Sequence, residues 1–456
     1  MPYFASSTAR ASATSTSQLF TAYTYDGLQR VLKSANAVGS TSNAYNAWTV
    51  TTTDANGKIK DYSKDAYGNL ATVVEHVSGA YATTTYAWDL NKALTKVTDA
   101  LGNVRNFTYD GLGQRLTAQD LHAAADSTFG SWSYTFDPAG NLTQVVDPKS
   151  QTINYGYDAL NRKMTEDYTG QAGVEITNSY DTCNDGKGRL CVASSTATRT
   201  TYNYDPLGLQ SSASSTINGT STSFVTQYGY DRQGNNTLVT YPDNAQVQYN
   251  YNGAGLIDAV LEKENGGNFG YIVNNFDYSP LGQARSIVMA NGAQTTNTYD
   301  QSLLYRLTKK VTTQPNGSHA QDLAYTYDAL GNITKIIDNG TAGTGKIISY
   351  AYDDLSRLLN ASTTVASSSP LSYSYTYDAI GNITNGPLGA YSYLGSVGTN
   401  FADPDAVTAV ATTTITIGGS GGISTSTIAL TSTTTNITLG FNSTTTNITV
   451  ALLGDV

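Results

Sequence analysis

Along residues 325–334 the chain reads Tyr-Thr-Tyr-Asp-Ala-Leu-Gly-Asn-Ile-Thr. Tyr325 and Tyr327 are two apart, so in an extended segment they share one face. Tyr and Thr suit a pleated, half-buried surface. Asp328 can bond its own backbone two residues on, and Gly331 can take positive φ without steric cost. The pattern predicts a strand, a turn over Asp-Ala-Leu-Gly-Asn, and a returning strand over 333–337, which together make a β-hairpin. The stretch returns almost unchanged at 375–384, with Tyr377, Asp378 and Gly381 in the same places, and a looser copy containing Tyr352 and Asp353 begins at Tyr350. Starts at 325, 350 and 375 define a period of about 25, the mark of a repeat architecture.

The same corner appears along most of the chain. It begins at Tyr25-Asp26 and continues at Trp88-Asp89, Tyr109-Asp110, Phe136-Asp137, Tyr157-Asp158, Tyr180-Asp181, Tyr204-Asp205 and Tyr230-Asp231. Further copies are expected at Tyr251-Asn252, Phe276-Asp277 and Tyr299-Asp300, and Asp65 opens a copy without its Tyr. A second turn stands eleven residues before several corners, as at Asp54, Asp99 and Asp147. That spacing leaves about seven residues for the strand between two turns. Turns at both edges imply a continuous antiparallel meander. About fifteen repeats give roughly 150 Å of ribbon at ~4.8 Å per strand, and a sheet that long must twist and coil.

This pattern resembles the RHS/YD-repeat family over about residues 20–410. The matching stretches include Tyr109-Asp-Gly-Leu-Gly-Gln-Arg-Leu116 with Gly113, Tyr157-Asp-Ala-Leu-Asn-Arg162, and Tyr327-Asp-Ala-Leu-Gly-Asn-Ile333. The turn carrying Cys183 and Cys191 also looks like a family feature. The resemblance implies an all-β ribbon that spirals into a hollow shell around a guest polypeptide, as in polymorphic toxins and insecticidal toxin complexes; related shells occur in teneurins. The family's shell-closing segment, with its aspartate-dependent self-cleavage site, has no match here. Asp137-Pro-Ala-Gly140 and Asp205-Pro-Leu-Gly208 stand in register with ordinary turns.

Three regions follow: a Ser/Thr/Ala-rich lead-in at 1–20, the array at 21–406, and a Thr/Ile/Gly-rich tail at 407–456. In the tail, Gly418-Gly-Ser-Gly-Gly422 reads as a flexible hinge. Two copies of Ser-Thr-Thr-Thr-Asn-Ile-Thr flanking Gly440-Phe-Asn442 read as a polar hairpin. The tail lacks His, Cys, Glu, Lys and Arg, so a nuclease or deaminase cannot be assembled from it.

Composition narrows the function. Net charge is −10 and the pI about 4.7, a poor match for nucleic acid or an anionic membrane. No apolar run is long enough to span a bilayer. The first twenty residues lack a basic and then apolar signal pattern, so either export takes another route or the chain is a fragment. Cys183 and Cys191 flank Asn-Asp-Gly-Lys-Gly. A disulfide worth about 2.5 kcal/mol, suited to an extracellular or cell-surface setting, and a pair of small buried residues are both compatible with this turn. His76, His122 and His319 are far apart, lack metal-ligand spacing, and read as surface residues. No catalytic, cofactor or metal constellation is expected.

The chain therefore reads as a non-enzymatic structural or encapsulating module whose partner is a guest polypeptide. A wall around a compact 100-residue guest needs a circumference of roughly 140 Å, so the ribbon makes one turn rather than a closed vessel. The alternative is a filament or adhesin of copies joined through uncapped strand edges and the tail. Third comes glycan binding on rows of tyrosines. Asn332-Ile-Thr and Asn436-Ile-Thr have the form of glycosylation acceptors, although the first falls out of the repeat turn itself.

Overall fold

The computed structural model describes residues 20–341, 345–364, 371–393 and 404–410, with the backbone of two further strands, Ile415–Gly419 and Gly422–Ser426. The lead-in and most of the tail, including the expected 432–450 hairpin and Asn436, lie outside the described residues. Within them the chain is an all-β meander. A single sheet of 32 strands runs from Ala22–Tyr25 to Ser372–Ser374, with successive strands paired antiparallel. Of the glycines read as a hinge, Gly418 pairs opposite Ile423 and Gly419 opposite Gly422 in a two-stranded pair.

Most corners are three-residue hairpin loops. Asp328 N–H donates to the Asn332 carbonyl, and Gly331 N–H donates back to the Asp328 carbonyl. Gly331 has φ +104°, the left-handed turn exit such a loop demands. Gly113 and Gly381 have φ +80° and +104° at the equivalent position.

Beside every corner tyrosine the ladder slips by one. Tyr327 faces Ile333 while Thr326 faces Lys335, so Thr334 is an extra residue. The same slip adjoins Tyr25, Tyr109, Tyr157, Tyr352 and Tyr377. A bulge bends the strand and increases local twist. A bulge recurs at this edge in repeat after repeat, with further shifts near Leu261, Val273 and Thr313, and the recurrent bulge coils the ribbon.

That coil brings distant residues together. Asn56 meets Asp328, 272 residues on, and Ser78 meets Asp354, 276 residues on. One turn therefore takes roughly two dozen strands, about 115 Å at ~4.8 Å each, or a ring about 35 Å across. This is tighter than the 140 Å expected from the size of a guest, because the bulges set the curvature. The 32 strands consequently overlap themselves.

Among the described residues no second layer covers the sheet, and the core is sparse. Buried hydrophobic residues are Ala82, Val104, Ala118, Cys191, Ala259 and Ala293. Stability must come largely from repeat-to-repeat contacts, as in other stacked arrays.

One corner stands elsewhere than expected. Phe276 and Asp277 lie inside the strand Gly270–Tyr278. The turn follows at Ser279, whose N–H donates to the Gln283 carbonyl, so Tyr278 is the corner aromatic and Ser279 replaces the acid. His122 is not a surface residue. It is 3% exposed, stacks on Phe129 with ring centroids 3.9 Å apart, and has Nδ1 2.7 Å from the Asp120 carbonyl.

Candidate functional site: corner clasp and seam

Each corner aspartate is an assembly point. In Asp328, Oδ1 accepts the Gly331 and Asn332 backbone N–H groups, and Oδ2 accepts the Asn332 side chain. In Asp26, Asp158 and Asp353, an arginine four residues on takes the place of that asparagine. The Arg/Asn position of the motif is thus the second half of the carboxylate's hydrogen-bond set. The Asn332 amide is occupied by Asp328 and by Ser356, which disfavours it as a glycosylation acceptor.

These bonds hold several carboxylates below the ordinary range. In Asp137 the largest cause is the Asn141 side chain. Asp181 is held down to about 2, chiefly by Arg162 and then by the Gly188 N–H. Burial opposes the shift at Asp328, but hydrogen bonds from Asn332 and Asn56 outweigh it.

The tyrosines link one corner to the next. Tyr352 Oη donates to the Ile333 carbonyl at 2.8 Å, and Tyr377 Oη to the Leu358 carbonyl at 2.8 Å. Ile333 and Leu358 are the residues facing the preceding corner tyrosines, Tyr327 and Tyr352. A bulge disrupts the regular ladder there, and the hydroxyl supplies an acceptor's partner. Tyr157, Tyr180, Tyr204, Tyr230, Tyr251, Tyr278 and Tyr327 repeat the bond. Burial pushes the Tyr327, Tyr352 and Tyr377 phenols up, which preserves them as donors.

Arginines cover the rings. Arg357 lies 4.6 Å from the Tyr377 ring centroid and donates to the Asp378 carbonyl. Arg162 lies 4.4 Å over Tyr180 and pairs with both Asp158 and Asp181. Arg306 donates to the Asp328 and Ala329 carbonyls. At Gly208, an added Cβ would meet Arg189 Nη2 at 1.7 Å, so this glycine serves both its φ of +83° and the approach of the guanidinium. With an arginine on the ring and the hydroxyl engaged, Tyr180, Tyr204, Tyr327 and Tyr377 offer little free platform for a sugar.

Cys183 and Cys191 are bonded to each other. They do not sit on facing strands. Cys183 lies in the enlarged loop, and Cys191 is the extra residue between Leu190 and Val192 opposite Tyr180 and Ser179. The disulfide closes a corner whose loop is enlarged, with Asp181 N–H donating to the Arg189 carbonyl.

Where the ribbon meets itself, the Tyr-Asp corners of the later turn touch the opposite edge of the earlier one. Asn56 Nδ2 donates to Asp328 Oδ2 at 2.9 Å. Asp354 pairs with Lys58 and accepts the Ser78 N–H. Lys58 first, and then Ser78, hold its carboxyl low. A Cβ on Gly39 would stand 3.3 Å from the Ala329 Cβ, so the two edges are closely seated. Asn56, Lys58, Ser78 and Asp354 carry no motif, although the doubled acid Asp353-Asp354 is a departure from the repeat that marks the spot. Among the described residues no group of three or more His, Cys, Asp or Glu could hold a metal, and no helix is long and apolar enough to cross a membrane.

The rolled meander, its tyrosine–aspartate corners and its self-overlap define a YD-repeat shell ribbon. Residues 41–176 match a family model described as Teneurin YD-shell. The chain is 30% identical over 159 residues to the toxin subunit YenC1 of Yersinia entomophaga, covering 32% of this chain and 16% of that one. It superposes on the crystal structure of TcdB2-TccC3 with a TM-score of 0.73 at 17% identity, covering 81% of this chain and 22% of that chain. The structure of the Photorhabdus luminescens Tc holotoxin pore gives 0.70 at 18%, covering 80% and 21%. At such identities the superpositions show the fold alone, and the chain spans about a fifth of the solved chains. With the corner recurring throughout the described array, the chain is similar to the RHS/YD-repeat family.

Proposed function

We propose that this chain is a wall section of a YD-repeat shell and shields a guest polypeptide by geometry rather than chemistry. The observation that carries the reading is the seam, because it converts a ribbon into a closed ring. A ring about 35 Å across, less the side chains lining it, leaves a bore too narrow for a folded 100-residue domain of radius of gyration ~13 Å. It suits an extended or partly folded segment. The corner carboxylates are engaged on backbone, Asn and Arg, which supports a non-catalytic array. The likeness to a toxin subunit supports a secreted, extracellular setting.

Proteinase K treatment of the protein from its full reading frame tests this. An enclosed segment should survive as long as the array does, and should be lost when Asp354→Lys opens the seam. A preparation in which no polypeptide besides the array is protected would overturn the reading.

A further inference from the structure

The seam joins two different edges, and both continue beyond it. One is the Tyr-Asp edge. In the overlap it is partly covered: Leu355 and Ile380 are half-buried there, and Leu330 is 41% exposed. Outside the overlap the same loop position is bare. Leu90 is 88% exposed and Leu112 84%, and Leu28, Leu160 and Leu207 are similarly open. Asp110 and Asp205 use Oδ1 on their own loops, while Oδ2 of each has no partner among the described residues. The other is the opposite edge, which supplies Asn56-Gly57 to the seam. Its Asn-Gly turn recurs uncovered at Asn291-Gly292 and Asn316-Gly317. There the side-chain oxygen caps the turn, and the amide nitrogen has no partner among the described residues.

We propose that the uncovered Tyr-Asp edge of one copy docks the Asn-Gly edge of a second copy, so that rings stack along the spiral axis. The occupant is another copy because the one chain carries both halves of the contact: acceptors and leucines on one edge, amide donors on the other. The intrachain seam shows that these edges fit. The contact is heterologous, so nothing closes it and stacks grow. It uses hairpin ends, not the unpaired strands at the ends of the sheet.

Sedimentation velocity of the full chain across about a hundredfold concentration range tests this. The mass should rise stepwise by whole copies. Asn291→Asp with Asn316→Asp places like charges against the carboxylate edge and should weaken association at least tenfold. Both positions are exposed turns, and an unchanged circular dichroism melt checks the fold. The double variant keeps its Tyr-Asp edge, so adding it to the parent protein should shorten existing stacks. Leu112→Lys with Leu160→Lys should weaken association from the other side. A single-copy mass at every concentration, or stacking that ignores both pairs of substitutions, overturns the proposal. So does cross-linking of the native assembly that joins Leu112 only to peptides of a different sequence. Loss of stacking with guest protection intact would leave the shell reading standing.

Discussion

Asp328 and Asp110 occupy the same place in their repeats, yet they do different work. Asp110 accepts two backbone N–H groups of its own loop. Asp328 does this too, and also accepts Asn56 from the previous turn of the spiral. The loop apolar residues differ by degree: Leu112 is 84% exposed and Leu330, in the Asp328 loop, 41%. A corner is therefore locally complete before anything covers it. Coverage depends on where the spiral returns, not on the motif.

Acid is expected to have the largest effect and to treat the two stretches alike. Carboxylates are depressed in both, Asp137 in the open stretch by Asn141 and Asp354 in the seam by Lys58. A depressed folded value contributes stability above the unfolded value, near pH 4, that disappears as pH falls through the folded one. Unfolding followed by circular dichroism should thus set in below about pH 4 and continue toward pH 2, where Asp181 titrates. Salt should separate the stretches, loosening the half-exposed Lys58 pair first. Carboxyl titrations by NMR clustered at ordinary values would remove this account.

Next comes Asp328→Ala against Asp110→Ala. Removing Asp328 orphans donors on two turns of the ribbon and should lower stability by about 3 kcal/mol, whereas Asp110→Ala should cost about 1–2. Hydrogen exchange at residues 54–58 should accelerate only in the first. Equal losses and equal exchange would erase the distinction.

The smallest contrast is Tyr352→Phe against Tyr25→Phe. Tyr352 holds the Ile333 carbonyl, while Tyr25 is 55% exposed and precedes every corner it could clasp. Denaturant midpoints should report about 1 kcal/mol for the first and close to nothing for the second. A comparable loss at Tyr25 would mean that ring packing, not the hydroxyl, links the corners.

How far the sequence discloses this depends on range. The hairpin loop is written locally in Asp, Gly and the tyrosine face, so corners could be placed from residues alone. The exception at Tyr278-Ser279 arises because Phe276-Asp277 imitates the motif two residues early, and a hydroxyl stands in for the carboxylate. The bulges leave no residue signature, since Thr334, Leu32 and Cys191 all fill the extra position. The acceptor of each tyrosine hydroxyl was hidden with them. The seam is less legible still, because it depends on curvature summed over some two dozen strands. His122 was misjudged because the insertion around Asp120 breaks the repeat and folds over it.

The recurrent bulge makes the ribbon behave as a screw of constant thread. Losing or duplicating one whole repeat would advance the later turn by one notch, so that Lys58 would face a neighbouring corner in place of Asp354. Lengthening by whole repeats would add height to the wall and leave its bore unchanged. Changes of a single residue would jam it.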